Sequence, residues 1–134
     1  MEELRNQSEQ FLEDNSKILD SAHSKRQIAF NVIPQVGSFK EEGFTSEEQK
    51  IALETNKILG TQIPFLVTAI RVPMFNCHTM SVVVDFEKDV QLNTLKEAFK
   101  SNKYIKFCET EEYFTPIQAV GREEVFVNRL REDP

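Results

Sequence analysis

Two short stretches hold the residue types from which a chemical site could be built. Arg71-Val72-Pro73-Met74-Phe75-Asn76-Cys77-His78 closes one apolar run with an arginine and opens the next with a histidine. Upstream, Ser46-Glu47-Glu48-Gln49-Lys50 sets the Glu47 carboxylate and the Lys50 ammonium at i, i+3, on one face of a helix that starts there. The planar fork of Arg71 suits bidentate binding of a carboxylate. His78 is the side-chain type that takes up and releases a proton near neutral pH. Glu47 can hold an amino group, and Lys50 a phosphate, with the positive helix end adding attraction for the anion. An anion clamp, a proton carrier and a zwitterion-binding pair are three things that a site for an amino-acid phosphate requires. The same residues also have ordinary accounts. These are a solvated arginine at a strand end, a satisfied half-buried histidine, and a surface pair contributing roughly 0.2–0.5 kcal/mol. Spacing alone does not separate the two.

Other chemistries find less support. Cys77 adjoins His78, but neighbours on a strand point to opposite faces, so a Cys–His dyad would be badly aligned and Cys77 reads as a structural thiol. Cys108 has no histidine or lysine that the sequence can place beside it, and reads the same way. The two cysteines form neither a CxxC pair nor a Cys/His quartet, so no disulfide framework and no metal site is expected. None of the four glycines belongs to a GxxGxxG nucleotide loop.

The totals describe one domain's worth of chain. At 134 residues it can bury a core but not a core plus a separate cofactor domain. A net charge of −6 argues against nucleic acid, which demands clustered lysine and arginine. The Met1 end leads into charged residues rather than an apolar stretch, so no signal peptide is expected. The apolar-rich run from Ile63 to Ile70 is too short to span a bilayer. Free thiols then fit a reducing, cytoplasmic setting.

The elements that must position these residues follow from periodicity. Glu2 to Leu19 reads as an amphipathic helix with a thin stripe of Leu4, Phe11 and Leu12, followed by a polar linker to Gln27. Ile28 to Ile33, stopped by Pro34, reads as a strand, and Gln35 to Thr45 as a loop. Ser46 reads as a helix cap with Gln49 in the capping-box position. The helix it starts carries Ile51, Ala52, Thr55, Ile58 and Leu59 on one face and is ended by Gly60. Pro64 to Val72 and Thr79 to Phe86 read as strands that most simply pair antiparallel. A second helix follows through Asn102, with Leu92, Leu95, Ala98 and Phe99 as its stripe. Tyr104 to Cys108, Pro116 to Val120 and Val125 to Val127 read as short strands, with a turn at Gly121. The expected class is α+β, a mixed β-sheet with helices mainly on one face. The division is an N-terminal helix and linker over 1–27 and one domain over 28–134.

Five stretches, taken in register, carry a family resemblance. They are Ile28-Ala29-Phe30-Asn31-Val32-Ile33-Pro34-Gln35, Glu47-Glu48-Gln49-Lys50, Glu54-Thr55-Asn56-Lys57-Ile58-Leu59, Arg71-Val72-Pro73 with Cys77-His78, and Gly121-Arg122-Glu123-Glu124-Val125-Phe126-Val127. Together they closely resemble the C-terminal, dimerisation half of aspartate-semialdehyde dehydrogenases. The resemblance implies a homodimer formed sheet to sheet. It also implies NADPH-dependent reductive dephosphorylation of L-aspartyl 4-phosphate to L-aspartate 4-semialdehyde, on the route to lysine, diaminopimelate, methionine and threonine. Carried over by motif, Arg71 would grip the substrate α-carboxylate, Glu47 the α-amino group and Lys50 the phosphate. His78 would be the acid/base. The resemblance places the nucleophilic cysteine, a substrate-positioning glutamine and the NADP-binding domain ahead of Met1, and a returning C-terminal helix beyond Pro134. The chain is therefore expected to be truncated at both ends and inactive alone. Asn128 stands where the family usually has glycine. Two other readings are a stand-alone, non-catalytic dimerisation module and a related acyl-phosphate reductase such as one acting on N-acetylglutamyl phosphate. The Glu47/Lys50 pair favours a free amino acid over an acetylated one.

Overall fold

The N-terminal helix is short because its last turn meets an acceptor that ends it. In the computed structural model, which describes residues 1–23, 25–109 and 111–132, α1 spans Glu2–Glu13. Asp14 leaves helical geometry, and its Oδ1 accepts from the Ser16 N–H (3.1 Å) and hydroxyl (2.6 Å), closing a side-chain turn where the sequence pattern continued the helix to Leu19. Of the expected stripe, Leu4 is buried and Phe11 is half-buried against the Phe30 ring at 4.9 Å, while Leu12 is exposed.

The fixed point of α1 is polar. Gln7 is only 3% exposed. Its Oε1 accepts from the Ile28 and Ala29 backbone N–H groups (2.9 and 3.2 Å), and its Nε2 donates to the Asp20 carbonyl (2.9 Å). Those bonds explain why Ile28 to Ile33 is not a strand. Two of its amides are taken by a side chain, the chain turns with Phe30 at φ 56, and the Asn31 N–H returns to the Ile28 carbonyl. Only Ile33 pairs in β fashion, antiparallel to Arg71. The run is nevertheless buried as its apolar character requires. Leu4, Ile28, Ala29 and Ile33 form the buried cluster.

Helix α2, Ser46–Leu59, begins one residue earlier than the sequence suggested. Thr45, extended at φ −102 and ψ 158, is the N-cap, and Glu48 rather than Gln49 occupies the box position. Adjacent Thr and Ser are both competent caps. Here Ser46 is already helical, and its hydroxyl accepts instead from the Ser38 N–H (3.1 Å). Gly60 ends the helix in the left-handed region, at φ 64 and ψ 33. Asn56 finishes the turn, bonding both the N–H and the carbonyl of Ile63 at 2.8 Å.

The chain forms two compact units, Met1–Phe75 and Asn76–Pro134. In the second, α3 (Leu92–Ser101) packs on β1 (Ile105–Phe107), with Phe99 and Phe107 ring centroids 5.7 Å apart. Strand β2 (Val125–Val127) runs parallel to β1 in the register Ile105↔Val125 to Phe107↔Val127. Parallel strands need a crossover, and α4 (Pro116–Ala119) lies within it. The sequence reading made Pro116 to Val120 a strand. It is a helix because Thr115-Pro116-Ile117-Gln118 is a capping box with proline at its first position, the Thr115 N–H donating to Gln118 Oε1 at 2.8 Å. Asn128 is not left-handed. Its amide instead brackets Phe114, accepting from the N–H (2.9 Å) and donating to the carbonyl (3.0 Å), and Arg129 takes the positive φ of 56.

The class is α+β, as expected, with helices and a small parallel sheet. Among the described residues, however, Pro64–Val72 and Thr79–Phe86 do not pair with each other. Only Arg71 of the two runs enters a bridge. Alternating and branched apolar residues specify a surface to be covered, not the chain that covers it. Leu66 stays 91% exposed, and in the second unit Met80, Val82, Val83 and Val84 are exposed on both faces.

Replacing Gln7 by Ala leaves the Ile28 and Ala29 amides without their acceptor. Each orphaned buried group costs about 1–3 kcal/mol. Gln7→Ala is therefore expected to lower unfolding stability by about 2 kcal/mol or more, read as a lower urea midpoint.

Candidate functional site

The first turn of α2 carries Glu47 and Lys50 on one face, as the spacing requires. Lys50 Nζ lies 3.5 Å from Glu47 Oε1, both side chains being substantially exposed. So open a pair is weak, and either group can exchange its partner for a ligand.

Arg71 is held by its backbone and free at its tip. Its N–H donates to the Ile33 carbonyl (2.9 Å), and its own carbonyl accepts from the Ile33 N–H (3.0 Å). Immediately after it the chain turns through Pro73, the Met74 N–H donating to the Val72 carbonyl at 2.8 Å. No hydrogen bond or ion pair engages the exposed guanidinium among the described residues. Arg122 is the contrast. Its guanidinium is bonded to both carboxylate oxygens of Glu124 (2.8 and 3.3 Å) and lies over the Phe126 ring. That contact holds the Glu124 carboxyl down to about 2. Arg122 is committed within its own unit, and Arg71 is available.

His78 lies in the second unit, exposed, with no partner for its ring among the described residues. It follows Cys77, whose φ of 70 is left-handed, so the pair is not on a regular strand as the pattern suggested. The Cys77 thiol donates to the Pro116 carbonyl (3.3 Å), and the Cys108 thiol faces the Glu112 carbonyl. Both thiols are turned to backbone oxygen.

The structure thus brings Glu47 and Lys50 together, puts Arg71 in the same unit, and puts His78 in the other. Two shallow grooves flank α2, one by Leu53, Asn56 and Lys57, the other by Phe44, Phe65 and Val67. None of the four candidates lines either. Their surface is open.

What the sequence reading missed is Glu48. Its Oε2 accepts from the Thr45 N–H (2.6 Å) and its Oε1 from the Ala69 N–H (2.9 Å), joining the α2 start to the run that ends at Arg71. The buried Thr45 hydroxyl faces the Glu48 amide in loose geometry. The capping-box pattern was the available signal, displaced by one residue. The Ala69 bond, then the Thr45 bond, favours the ionised form and lowers the Glu48 pKa. The stabilisation these bonds give is complete above the ordinary carboxylate range and is lost as pH falls through the lowered value.

Among the described residues no glycine-rich loop is arranged for a dinucleotide. The four glycines stand at separate turns, at φ 64 to 83, and none opens a helix after a strand. Among the described residues no group of three or more His, Cys, Asp or Glu is gathered for a metal, and no helix is long and apolar enough to cross a membrane.

With this geometry in hand, comparison with known proteins is decisive. Residues 1–134 match the family described as semialdehyde dehydrogenase, dimerisation domain. The chain belongs to that family. It is 38% identical over 111 residues to the aspartate-semialdehyde dehydrogenase of Rickettsia bellii, covering 81% of this chain and 33% of that protein. It is 35% identical over 137 residues to that of Aquifex aeolicus, covering 99% of this chain and 40% of that protein. The crystal structure of aspartate semialdehyde dehydrogenase II from Vibrio cholerae superposes with a TM-score of 0.86 at 27% identity, covering 98% of this chain and 39% of that one. A second crystal structure of that Vibrio enzyme is a complex with ASA. As a semialdehyde dehydrogenase dimerisation domain, the chain spans between a third and two fifths of the length of these relatives.

Gly37, at φ 82, sits where an added Cβ would overlap Ser46 Oγ, while Gly43, at φ 83, faces open space. Gly43→Ala is expected to cost about 1–2 kcal/mol for its backbone alone. Gly37→Ala should cost more, since it also pushes on the first turn of α2. Paired thermal melts give the difference.

Proposed function

We propose that these residues are the substrate-binding and dimerisation portion of an enzyme that converts L-aspartyl 4-phosphate to L-aspartate 4-semialdehyde with NADPH. Such a step would serve lysine, diaminopimelate, methionine and threonine biosynthesis in the cytoplasm. Residues 28–134 would bear the substrate and dimer surfaces, and residues 1–27 would be a helix and linker leading into them. Family membership supports the reading, and the observation that carries it is the state of Arg71, fixed by two backbone bonds and uncommitted at its guanidinium.

Each residue then has a task suited to its chemistry. Arg71 takes the α-carboxylate through two parallel N–H donors, which fixes orientation as well as charge. Glu47 accepts from the α-ammonium. Lys50, released from its 3.5 Å contact with Glu47, holds the phosphate beside the α2 N-terminus. His78 protonates the oxyanion formed in the reductive direction and removes that proton in the oxidative one. NADPH, when bound, would supply the hydride in the reductive direction. Its binding site and the attacking cysteine would lie in the length that the relatives have beyond the matched region. The 134 residues alone should therefore oxidise no NADPH.

The exposed apolar run Met80, Val82, Val83, Val84 supports the dimer half of the proposal, since soluble monomers rarely leave so contiguous a patch uncovered. A second copy of the chain is the proposed cover. Sedimentation at roughly ten micromolar should show a dimer, well above a micromolar-range Kd. A strict monomer there counts against it.

In the complete enzyme, Arg71→Lys should raise KM for the amino-acid substrate at least about tenfold by losing bidentate geometry. His78→Gln should lower kcat by roughly 10²–10⁴-fold with little change in KM. Steady-state kinetics on both variants decide the assignment, and unchanged constants in both would remove it.

A further inference from the structure

The groups proposed to hold the substrate lie on different elements, and something must set their spacing. Glu47 and Lys50 ride the first turn of α2, while Arg71 ends the run that passes Ala69. Two connections join these places. One is through the backbone. Arg71 is bridged to Ile33, and a few residues on, the Ser38 carbonyl accepts from the Ser46 N–H (2.8 Å) while the Ser38 N–H donates to Ser46 Oγ (3.1 Å). The other is a single side chain. Glu48 spends one carboxylate oxygen on the α2 cap amide at 2.6 Å and the other on the Ala69 amide at 2.9 Å.

We propose that Glu48 is a positioning residue. It sets the distance between Glu47/Lys50 and Arg71, and so how the site fits its amino-acid substrate, without touching substrate. The inference rests on the functional reading above. Both bonds need an acceptor, and they fall on different oxygens of the side chain, Oε2 for Thr45 and Oε1 for Ala69. A glutamine of the same size would turn an NH2 donor towards one of the two N–H donors and break that arm. An aspartate keeps the charge but is one methylene too short to span both amides. The lowered pKa of Glu48 agrees with a group that is ionised when it works.

The test is kinetic, in the complete enzyme with L-aspartate 4-semialdehyde, phosphate and NADP+, run alongside Arg71→Ala. Glu48→Gln should raise the semialdehyde KM about tenfold, the scale of one lost charge-assisted hydrogen bond, with kcat within about threefold of wild type. The KM for phosphate, which meets Lys50 alone, should hardly move. In an Arg71→Ala background the Glu48→Gln effect on semialdehyde KM should vanish, because there is no second anchor left to misplace. Glu48→Asp should reproduce the pattern if the glutamine variant does not fold. Additive effects in the double variant, a loss confined to kcat, or failure of both variants to fold would each reduce Glu48 to a structural cap and overturn the proposal. If Arg71→Ala itself leaves KM unchanged, the underlying site assignment fails instead. If Arg71→Ala raises KM and Glu48→Gln does not, only the positioning role fails.

Discussion

A backbone N–H removed from water has to find an acceptor, and among the described residues few find one in a strand ladder. The paired sheet is two strands of three residues. Helices and turns supply backbone carbonyls, and at several joints the acceptors are side chains. Gln7 serves Ile28 and Ala29, Glu48 serves Thr45 and Ala69, Asn56 serves Ile63, Gln118 serves Thr115 and Asn128 serves Phe114. Each fixes a particular pair of chain positions. The first unit is thus cross-linked by a handful of specific polar contacts around a small apolar cluster of Leu4, Ile28, Ala29 and Ile33.

That arrangement separates rigidity from availability. The backbone at Arg71 is pinned by its bridge to Ile33, and the α2 start is pinned through Thr45, Ser46 and Glu48. The groups suited to charged ligands project beyond those pins. Arg122 and Lys100 are engaged instead within the chain, Arg122 by Glu124 and Lys100 by Glu109 at 2.8 Å. A charge left open on a fixed backbone keeps its full attraction for an incoming anion, and the scaffold has little left to order on binding.

Much of this was legible in the sequence, for reasons that can be named. Helices α2 and α3 carried amphipathic periodicity and clear stops, Gly60 among them, and β1 and β2 fell within the short apolar runs expected. The Glu47–Lys50 face follows from helical spacing alone. Failures came where local pattern competes with distant partners. Pro116 to Val120 has the apolar composition of a short strand, but its capping box, a local signal, makes it a helix. Ile28 to Ile33 is buried but not a strand, because Gln7, far back in the chain, claims its amides. The bond from Glu48 to Ala69 joins positions 21 residues apart, which no periodicity reports. For Pro64–Val72 and Thr79–Phe86, composition states that a surface must be covered and is silent about by what.

The manner in which Glu48 holds its two partners has a bearing on how such a domain can drift over generations. It recognises main-chain amides, which nineteen of the twenty amino acids provide. The residue at 69 can therefore change its side chain without releasing the carboxylate, provided it does not become proline, and the amide of residue 45 obeys the same rule. A tether of this kind exacts fidelity at one position where a pair of interlocking side chains would exact it at two. The backbone path that resembles the Vibrio enzyme at 27% identity is the sort of outcome such economy permits.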